Sequence, residues 1–464
     1  MMRPMSLSEL ADPLGGRILG SDCTFREVST DSRAIARGAL FVALTGERFD
    51  GHDYLAQAAT AGASCALVSR PLESTLPLLQ VDDTGRALGH LGAFNRQLYR
   101  GPLVAITGSS GKTTAKNMVR AVLAQRGRTL ATEGNFNNEI GVPLTLLRLS
   151  PGDEFAVVEM GAARAGDIAW LCELGRPTVA VLLNAMPAHL EGFGSVDDVA
   201  EAKGEIFDGL GSGDFAIINA DQPWAARWRE RSGEATLLDF ALDAAAAVSA
   251  SAINTLGVEG TAFTAHTPAG ELQARLALPG RHNVANALAA IAVGLACGLS
   301  LAEIGEGLQA VSPASGRLLA TVGPGGATVV DDCYNANPGS VRAAIDLLAG
   351  CSGRRTLVLG AMRELGPDSR RLHREVGDYA HQAGIDRLWG VGEELSPCVE
   401  AFGAGGTLFP DREAAIAALP GVFGADDTVL VKGSRSAGME PVSYTHLTLP
   451  TRSCQCRSRW SADH

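Results

Sequence analysis

Residues 107–114 read Thr-Gly-Ser-Ser-Gly-Lys-Thr-Thr and follow a short apolar run, residues 103–106, with the composition of a buried strand. A strand, a glycine-rich turn, Gly-Lys-Thr and then a helix, here predicted over residues 115–125, are typical of a loop that binds phosphate groups. Glycines let backbone N–H groups point at phosphate oxygens, Lys112 adds positive charge, and the Thr113 hydroxyl suits Mg²⁺. The predicted contacts to a nucleoside triphosphate are Gly108, Ser109, Ser110, Gly111, Lys112, Thr113 and Thr114.

Around this loop, from residue 99 to 312, apolar or β-branched runs alternate with helical periodicity. The runs at 103–107, 155–160, 178–184 and 215–219 predict a mainly parallel sheet with helices on both faces. Three later runs, at 247–253, 260–266 and 271–276, lie close together and predict antiparallel strands beside a helix at 283–297.

The flanking segments repeat the α/β rhythm. Residues 1–98, with runs at 39–44, 63–68 and 78–81 and a helix at 54–61, predict a small N-terminal α/β domain. Residues 313–440 predict a C-terminal Rossmann-like α/β domain with strands at 327–331, 355–359, 387–391 and 428–431 and a loop at 404–406. The expected fold is therefore α/β in three domains. A Ser-Pro-Ala-Ser-Gly stretch (312–316) is the predicted linker between the central and the C-terminal domain.

Composition narrows the function classes. A chain of 464 residues suits about three domains of ~100–200 residues each. The net charge of −12 argues against a nucleic-acid binder, and no apolar run approaches the ~18 residues of a membrane span. Nine scattered cysteines and the absence of a secretory signal favour a reducing cytoplasm. We expect a cytoplasmic protein without membrane insertion, by default a monomer.

An asparagine-rich string, residues 133–143, follows the phosphate loop and reads Glu-Gly-Asn-Phe-Asn-Asn-Glu-Ile-Gly-Val-Pro. Asparagines favour turns, so a purely structural turn is one explanation. The string also falls where ligands bind in open α/β sheets, at the carboxyl ends of strands, which favours binding. The candidate binding residues in it are Asn135, Asn137, Asn138 and Glu139.

Three more side chains are predicted at the same sheet edge. Glu159 ends a buried run opposite the phosphate loop, and a carboxylate there can hold Mg²⁺ through oxygen. His189 follows the next predicted strand, and Lys203 lies in a predicted helix after it. The alternatives are a solvated strand-end glutamate, a packed histidine and a surface lysine. The order of the three residues along the sheet favours a shared site.

Together these residues resemble the ATP-dependent Mur ligase family over about residues 25–440. The resemblance rests on the phosphate loop, Glu159, His189, Lys203, the string Arg-His-Asn-Val-Ala-Asn-Ala at 281–287, Arg317 and Asp332. The asparagine-rich string and Asp-Asp-Cys-Tyr-Asn-Ala-Asn-Pro at 331–338 are similar to the branch that adds D-alanyl-D-alanine. The resemblance implies an ATP-dependent amide ligase of peptidoglycan synthesis that joins this dipeptide to UDP-N-acetylmuramoyl tripeptide through an acyl phosphate.

The resemblance also implies roles for single residues. Lys112 and Thr113 would hold ATP and one Mg²⁺, with Glu159 as a further ligand and His189 near a second metal. Lys203 matches a lysine that several members of the family carry as a carbamate, a form that can bind Mg²⁺. The resemblance thus makes Lys112, Glu159, His189, Lys203 and Arg317 the candidate catalytic residues.

Further residues are assigned to the ligands in the same way. Asn283 would lie beside adenine, Arg317 at the phosphates and Asp332 at the ribose, although Asn283 could instead cap a helix and Asp332 close a turn. The segment at 29–33 resembles the uridine-diphosphate-binding part, with Ser32 and Arg33 as candidates; a solvated loop arginine is the alternative. Residues near the incoming dipeptide would be Asn335, Asn337 and Ser340.

The last 24 residues, 441–464, depart from the family pattern. A closing amphipathic helix is expected there, but Pro441 tolerates only a helix start and the rest lacks helical periodicity. We expect a disordered, non-native tail from a frameshift or assembly error, with a functional basic tail as the alternative.

Other functions stay open. A diaminopimelate-adding Mur enzyme or a folylpolyglutamate synthetase would keep the phosphate loop, Glu159 and Lys203 but should lack the asparagine-rich string. A phosphate-loop GTPase or transport ATPase should show guanine-reading or signature motifs, which we do not find. A non-catalytic regulator should have lost Glu159, His189 or Lys203. The sequence leaves undecided whether the tripeptide ends in diaminopimelate or lysine.

Overall fold

The computed structural model describes residues 2–46, 49–187, 190–419 and 421–444. Within these ranges the chain forms three α/β units, each a sheet with its helices, which we call the N-terminal, the central and the C-terminal layer. This confirms the predicted fold class. Among the described residues, no helix is both long and apolar enough to cross a bilayer. The domain limits 1–98, 99–312 and 313–440 stay predictions.

The N-terminal layer contains a five-stranded sheet and a separate antiparallel pair of two-residue strands. Its strands are β1 (Met5–Ser6), β2 (Arg17–Leu19), β3 (Thr24–Phe25), β4 (Val28–Ser29), β5 (Leu40–Val42), β6 (Cys65–Val68) and β7 (Leu78–Gln80). Its helices are α1 (Leu7–Ala11), α2 (Leu55–Ala61) and α3 (Thr84–Gln97). The sheet has the order β2-β7-β6-β5-β4, in which β4 to β7 run parallel and β2 is antiparallel to β7.

The central layer is built on a parallel sheet. Its strands are β8 (Leu103–Thr107), β9 (Thr129–Ala131), β10 (Phe155–Glu159), β11 (Val179–Leu182), β12 (Phe215–Ile218) and β13 (Thr236–Leu237). Its helices are α4 (Lys112–Leu123), α5 (Gly141–Leu146), α6 (Asp167–Gly175), α7 (Leu190–Phe193), α8 (Val196–Gly204) and α9 (Ala225–Arg231). The strand order is β13-β12-β11-β8-β10-β9. α3 packs so closely on this layer that a Cβ on Gly92 would lie 2.9 Å from Cα of Pro143.

Strand β8 shows why the central layer is covered on both faces. Val104 and Ile106 point into one hydrophobic core and Leu103 and Ala105 into another, because successive side chains of a strand alternate between faces. All four are buried. This is the reason that the run is apolar throughout, as in parallel sheets with helices on both sides.

The predicted antiparallel strands form a separate sheet, β14 (Phe240–Ala241), β15 (Val248–Thr255), β16 (Thr261–Thr267) and β17 (Gly270–Leu276). β15, β16 and β17 are antiparallel, and the unpredicted strand β14 is parallel to β15. The predicted helix beside them is α10 (Arg281–Ala296), and it is followed by α11 (Leu301–Gln309).

The C-terminal layer is a third sheet flanked by helices. Its strands are β18 (Leu319–Val322), β19 (Thr328–Asp332), β20 (Arg354–Gly360), β21 (Arg387–Val391), β22 (Gly406–Phe409) and β23 (Asp427–Lys432). Its helices are α12 (Pro338–Ala349), α13 (Ser369–Gln382), α14 (Ser396–Phe402), α15 (Arg412–Ala417) and α16 (Glu440–Tyr444). The strand order is β18-β19-β23-β20-β21-β22, parallel except for β18.

The structure corrects two expectations for the C-terminal layer. The predicted loop at 404–406 gives way to β22 at Gly406. The expectation of a disordered tail from residue 441 is wrong for residues 441–444, since α16 spans them and buries Val442 in one hydrophobic core with Val329 of β19 and Val431 of β23. Pro441 fits because it lies in the first turn of the helix, where its missing N–H costs no hydrogen bond. Residues 445–464 lie outside the described residues.

Candidate active site

The phosphate loop leads from β8 directly into α4, whose first residue is Lys112. Gly111 precedes the helix with φ of 82°, and a Cβ there would lie 2.7 Å from Oδ1 of Asn286, so only glycine fits. Nζ of Lys112 donates to the carbonyl oxygen of Gly108 at 2.7 Å. Burial lowers the pKa of Lys112, Glu159 opposes that shift and Arg317 adds to it. The N-terminus of α4 therefore opens into the site with a cation beside it.

The loop is held in shape by the segment that follows β11. The backbone N–H of Ser110 donates to Oδ1 of Asn184 at 3.0 Å, and Nδ2 of Asn184 donates to the Ser110 carbonyl at 3.1 Å. Oγ of Ser109 accepts from the backbone N–H of Met186 at 3.0 Å. The loop is thus fixed before any phosphate binds.

Glu159 lies at the end of β10 opposite the loop, as predicted, and is 2 % exposed. Its Oε2 accepts from the Thr113 hydroxyl at 2.9 Å, and its Oε1 accepts from Nδ2 of Asn137 at 2.8 Å. The carboxylate, the hydroxyl and the asparagine-rich string therefore meet at one point.

Arg317 reaches the same point from the C-terminal layer. Its Nη2 donates to Oγ1 of Thr113 at 3.0 Å, and its guanidinium lies 4.0 Å from the ring centroid of Tyr334. Such stacking holds the guanidinium in one orientation. The contact joins the two layers at the start of α4.

A cavity of about 700 Å³ lies between the central and C-terminal layers. Predicted residues that line it are Ser109, Ser110, Gly111, Lys112, Thr113, Thr114, Asn135, Asn137, Asn138, Glu139, Glu159, Asn283, Arg317, Asp332, Asn335, Asn337 and Ser340. At one end Asn283 donates through Nδ2 to the carbonyl of Pro279 at 2.7 Å and accepts from Asn286 at 3.3 Å. Asn283 does not cap α10, whose N-cap is Gly280 without a side-chain hydrogen bond, and it lines the cavity.

Asp332 lines the cavity at the end of β19 and is paired with Lys432, whose Nζ lies 2.5 Å from Oδ2. The same Nζ donates to the carbonyl of Asn335 at 3.0 Å. Asp332 is therefore held by a buried ion pair rather than closing a turn, and one carboxylate oxygen remains for another donor.

Several predicted binding residues also serve local structure. Oδ1 of Asn138 accepts from the backbone N–H of Gly141 at 2.9 Å, next to the start of α5. Asn337 and Ser340 form a capping box at the start of α12, with Oδ1 of Asn337 accepting from the Ser340 N–H at 2.8 Å. Their substrate contacts stay predictions.

Lys203 lies on α8 with 2 % of its surface exposed and does not line the cavity. Burial, strengthened by the positive charge of Lys112, lowers its pKa to about 7. The structure thus places an amine that is partly uncharged at neutral pH near the phosphate loop. The predicted site residue His189 lies outside the described residues.

The predicted uridine-diphosphate residues are far from this cavity, on the N-terminal layer. Arg33 is exposed, and its guanidinium binds Asp31 through Nε and Nη2, each at 2.9 Å. Oγ of Ser32 donates to Oε1 of Gln57 at 3.1 Å. Diphosphate binding by Ser32 and Arg33 stays a prediction.

Among the residues at or next to the cavity, His282, Tyr334 and Lys116 were not assigned a role from the sequence. Burial, with Lys432 nearby, lowers the pKa of His282 to about 4, which keeps the imidazole neutral. The scarcity of lysine could have drawn attention to the lysine positions, since the chain has four lysines and 35 arginines. Lys112 and Lys432 line the cavity, Lys203 is buried near it, and Lys116 is buried one helical turn beyond Lys112.

Three family models match the chain. They are the Mur ligase family, catalytic domain over residues 24–95, the Mur ligase middle domain over 106–294, and the Mur ligase, glutamate ligase domain over 316–435. The residues that line the cavity fall within the second and third of these spans.

Individual proteins give the same result. The chain is 46% identical to the UDP-N-acetylmuramoyl-tripeptide--D-alanyl-D-alanine ligase of Escherichia coli K12 over 95% of this chain and 98% of the relative. It is 39% identical to the Haemophilus influenzae protein of that name, over 96% and 98%. Among solved structures, MurF from Acinetobacter baumannii matches with a TM-score of 0.91 at 35% identity, covering 95% and 98%. MurF ligase from Thermotoga maritima in complex with ADP matches with a TM-score of 0.81 at 29% identity, covering 90% and 96%.

Proposed function

The chain belongs to the Mur ligase family, and from that premise we propose that it joins D-alanyl-D-alanine to UDP-N-acetylmuramoyl tripeptide with consumption of ATP. The observation that carries the proposal is the meeting of Arg317, Thr113 and Glu159 in one cavity between two layers. A ligase that activates one substrate by phosphorylation and then admits a second needs such a shared cavity.

The phosphate loop is the site that we propose for ATP. Backbone N–H groups at the start of α4 and Lys112 would hold the phosphates, as in other loops of this kind. Asn283 and Asp332 also line the cavity and are the residues that we propose for the adenosine. The Thermotoga maritima relative, which was solved in complex with ADP, supports a nucleotide in this cavity.

The residues at the phosphate end fit Mg²⁺ as a cofactor. Oε2 of Glu159 and Oγ1 of Thr113, 2.9 Å apart, offer the hard oxygen ligands that this ion prefers. Across the described ranges, no cluster of three or more His, Cys, Asp or Glu side chains is placed to hold a metal. A site with few protein ligands suits an ion whose remaining coordination positions are filled by phosphate oxygens. The bound ion would neutralise part of the phosphate charge.

The chemistry has two steps. A carboxylate oxygen of the tripeptide attacks the γ-phosphorus, the bond to the ADP oxygen breaks, and an acyl phosphate forms. The amine of the dipeptide then attacks the acyl carbon, loses a proton, and expels phosphate from the tetrahedral intermediate. Lys112 and Arg317 would balance the charge on the transferred phosphoryl group, which is the main demand of such transfers.

Lys203 would act as a carbamate in this scheme. CO₂ adds only to an uncharged amine, and a pKa of about 7 leaves about half of Lys203 uncharged at neutral pH. The uncharged nitrogen forms a bond to the carbon of CO₂ and loses one proton, and the carbamate anion so formed could offer a further oxygen ligand. The proposed role of His189 beside a second metal falls on a residue outside the described ranges and stays a prediction.

The remaining assignments are proposals of the same kind. Ser32 and Arg33 would bind the uridine diphosphate, since an arginine fork suits a diphosphate. Asn335, Asn337 and Ser340 would lie near the dipeptide, and the asparagine-rich string near the tripeptide. We place the enzyme in the cytoplasm as a monomer, and the free cysteines of the described residues are in keeping with a reducing compartment.

The test is phosphate release from ATP and Mg²⁺ with UDP-N-acetylmuramoyl tripeptide, in the presence and absence of D-alanyl-D-alanine. The proposal expects release that depends on the dipeptide, and free D-alanine, glutamate and diaminopimelate serve as control acceptors. Release that depends on a control acceptor instead would assign the chain to another amide ligase of this fold.

A further inference from the structure

A second cavity, of about 550 Å³, lies between α4, β9 and the C-terminal layer and adjoins the cavity of the phosphate loop, which we call the first cavity. The described cations that line it are Lys116, Arg120, Arg148, Arg317 and Arg435. Among its described lining residues Glu133 is the one carboxylate, and it is paired with Arg148 at 2.5 Å. The lining is therefore cationic in a chain whose net charge is −12, and a cavity of this charge suits an anion.

Lys116 is the buried cation of this cavity, with 4 % of its surface exposed. Its Nζ donates to the carbonyl oxygen of Thr132 at 2.7 Å, a neutral partner that leaves the positive charge unneutralised. An ammonium group has three N–H donors, so Lys116 can also donate to an anion in the cavity. Burial lowers the pKa of Lys116, Glu159 opposes that shift, and Arg317 and Arg120 add to it. An anion beside Lys116 would offset both the burial and the repulsion between these cations.

The second cavity is continuous with the reaction centre. Both cavities are lined by Thr113, Asn135, Arg317, Tyr334 and Arg435. The residues that we propose for the adenosine and for the dipeptide line the first cavity and are not among those that line the second. An anion formed beside Thr113 and Arg317 can therefore enter the second cavity without crossing the sites of the other ligands.

One face of α4 leads from the reaction centre to the surface. Thr113, Lys116 and Arg120 share this face, at positions i, i+3 and i+7 of the helix. A rise of ~1.5 Å per residue puts Lys116 about 4.5 Å and Arg120 about 10.5 Å along the axis from Thr113. Lys116 is buried and Arg120 is exposed. The two cations thus form successive steps between the buried centre and solvent.

We propose that the second cavity receives the inorganic phosphate that the reaction releases, between Lys116 and Arg120, and that phosphate leaves the protein along this face of α4. This inference rests on the proposed ligase function and adds to it a product site and an exit route. A volume of about 550 Å³ leaves room for phosphate together with water, which fills ~30 Å³ per molecule in the liquid. The carboxylates of the substrates are the other source of small anions, and the experiment separates the two.

Product inhibition by added inorganic phosphate measures binding in the second cavity. Arg120 is exposed and lines the second cavity but not the first, so Arg120→Ala should fold. We expect it to raise the inhibition constant of phosphate about tenfold, the loss of one charge-assisted contact, and to change KM for ATP and for D-alanyl-D-alanine less than about threefold. Arg120→Lys should keep most of the phosphate affinity. Arg374→Ala, an exposed arginine of α13 that lines neither cavity, is the matched control.

Isotope exchange at equilibrium tests the route. With all substrates and products present and phosphate below its inhibition constant, labelled phosphate must enter through the second cavity to reach ATP, whereas labelled ADP enters through the first. Arg120→Glu places a negative charge on the phosphate route. It should slow the exchange of phosphate into ATP at least about tenfold and the exchange of ADP into ATP less than about threefold. Arg374→Glu is the control and should change neither exchange.

The outcomes separate the possible occupants of the second cavity. An unchanged inhibition constant in Arg120→Ala, or exchanges that slow equally or not at all in Arg120→Glu, would overturn the proposal. A raised KM for the dipeptide or the tripeptide with unchanged phosphate inhibition would overturn it in favour of a substrate carboxylate. If the ligase proposal itself is wrong, wild-type enzyme will show no dipeptide-dependent phosphate release, which separates the two failures.

Discussion

Lys112 is the residue on which the phosphate site depends most directly. Its Nζ already lies inside the loop, 2.7 Å from the Gly108 carbonyl, where bound phosphate would replace that partner. We predict that Lys112→Ala lowers dipeptide-dependent phosphate release at least about 100-fold, because a preorganised charge at a transferred phosphoryl group is lost. Steady-state release measures it. Arg227→Ala, on the exposed side of α9, is the control; Lys112→Ala activity near wild type would remove the loop from the mechanism.

Lys203 can be observed directly because the chain has only four lysines. Protein labelled with carbon-13 at lysine Cε should give four signals, and Lys203→Arg assigns one of them. Burial disfavours the charged form, so that signal should titrate near pH 7, with the uncharged amine gaining as pH rises. Labelled bicarbonate should then produce a carbamate signal above pH 7. Titration near the usual ~10.4 of lysine would contradict the account.

The site residues that could be predicted from the sequence are those that belong to a recognisable stretch of neighbouring residues. The phosphate loop and Glu159 follow from neighbouring residues along the chain, and both lie in the cavity. Lys116 and Tyr334 could not be assigned, because their partners, Thr132 and Arg317, lie more than 15 residues away along the chain. For Arg33 the structure shows an ion pair with Asp31, two residues away along the chain. Whether Arg33 binds a diphosphate depends on the ligand and stays a prediction.

At the scale of elements, the turn from β8 into α4 sets the position of the phosphates. We predict that Gly111→Ala weakens ATP binding at least tenfold, because its Cβ would lie 2.7 Å from Oδ1 of Asn286 and its φ of 82° is strained for alanine. Equilibrium binding of ATP measures the effect.

Gly384→Ala is the matched control for this prediction. Gly384 also has positive φ, 73°, but a Cβ there would meet nothing within 4 Å. It should cost about 1 kcal/mol of stability and leave ATP affinity unchanged. Equal ATP affinity in both variants would show that the Asn286 side chain moves away from the new Cβ and that the short distance between Gly111 and Asn286 does not matter for ATP binding.

The elements predicted correctly are those with two buried faces or strong helical periodicity. β8, β10 and β21 are buried nearly throughout, so their apolar runs were visible. β9, β18 and β22 were missed because each is short and lies at a sheet edge with half-exposed residues. α4 begins three residues earlier than predicted, since the Gly-Lys-Thr residues lead straight into its first turn.

At the level of domains, we predict that catalysis needs the C-terminal layer to close on the central one, because Arg317 and Asp332 lie on the former and the phosphate loop on the latter. The closed contact is tight at α12, where a Cβ on Gly339 would lie 2.5 Å from Sδ of Met186. We predict that Gly339→Val lowers kcat about 100-fold by holding Arg317 away from Thr113, since small misplacements of catalytic groups cost that much.

The compensating change tests that explanation. Gly339→Val combined with Met186→Ala removes the obstructing side chain and should recover activity to within about tenfold of wild type, whereas Met186→Ala alone should have a small effect. Both are read from kcat, with ATP binding as a check that the phosphate loop is intact. No recovery in the double variant would mean that Gly339 matters for another reason than closure.

We propose that a peptide bond is made in the cavity between the two layers through an acyl phosphate. The most direct measurement uses UDP-N-acetylmuramoyl tripeptide labelled with oxygen-18 in its terminal carboxylate, incubated with ATP, Mg²⁺ and D-alanyl-D-alanine. Mass spectrometry should find the pentapeptide nucleotide as product and one labelled oxygen in the released phosphate. Phosphate without label, or no pentapeptide product, would contradict the account.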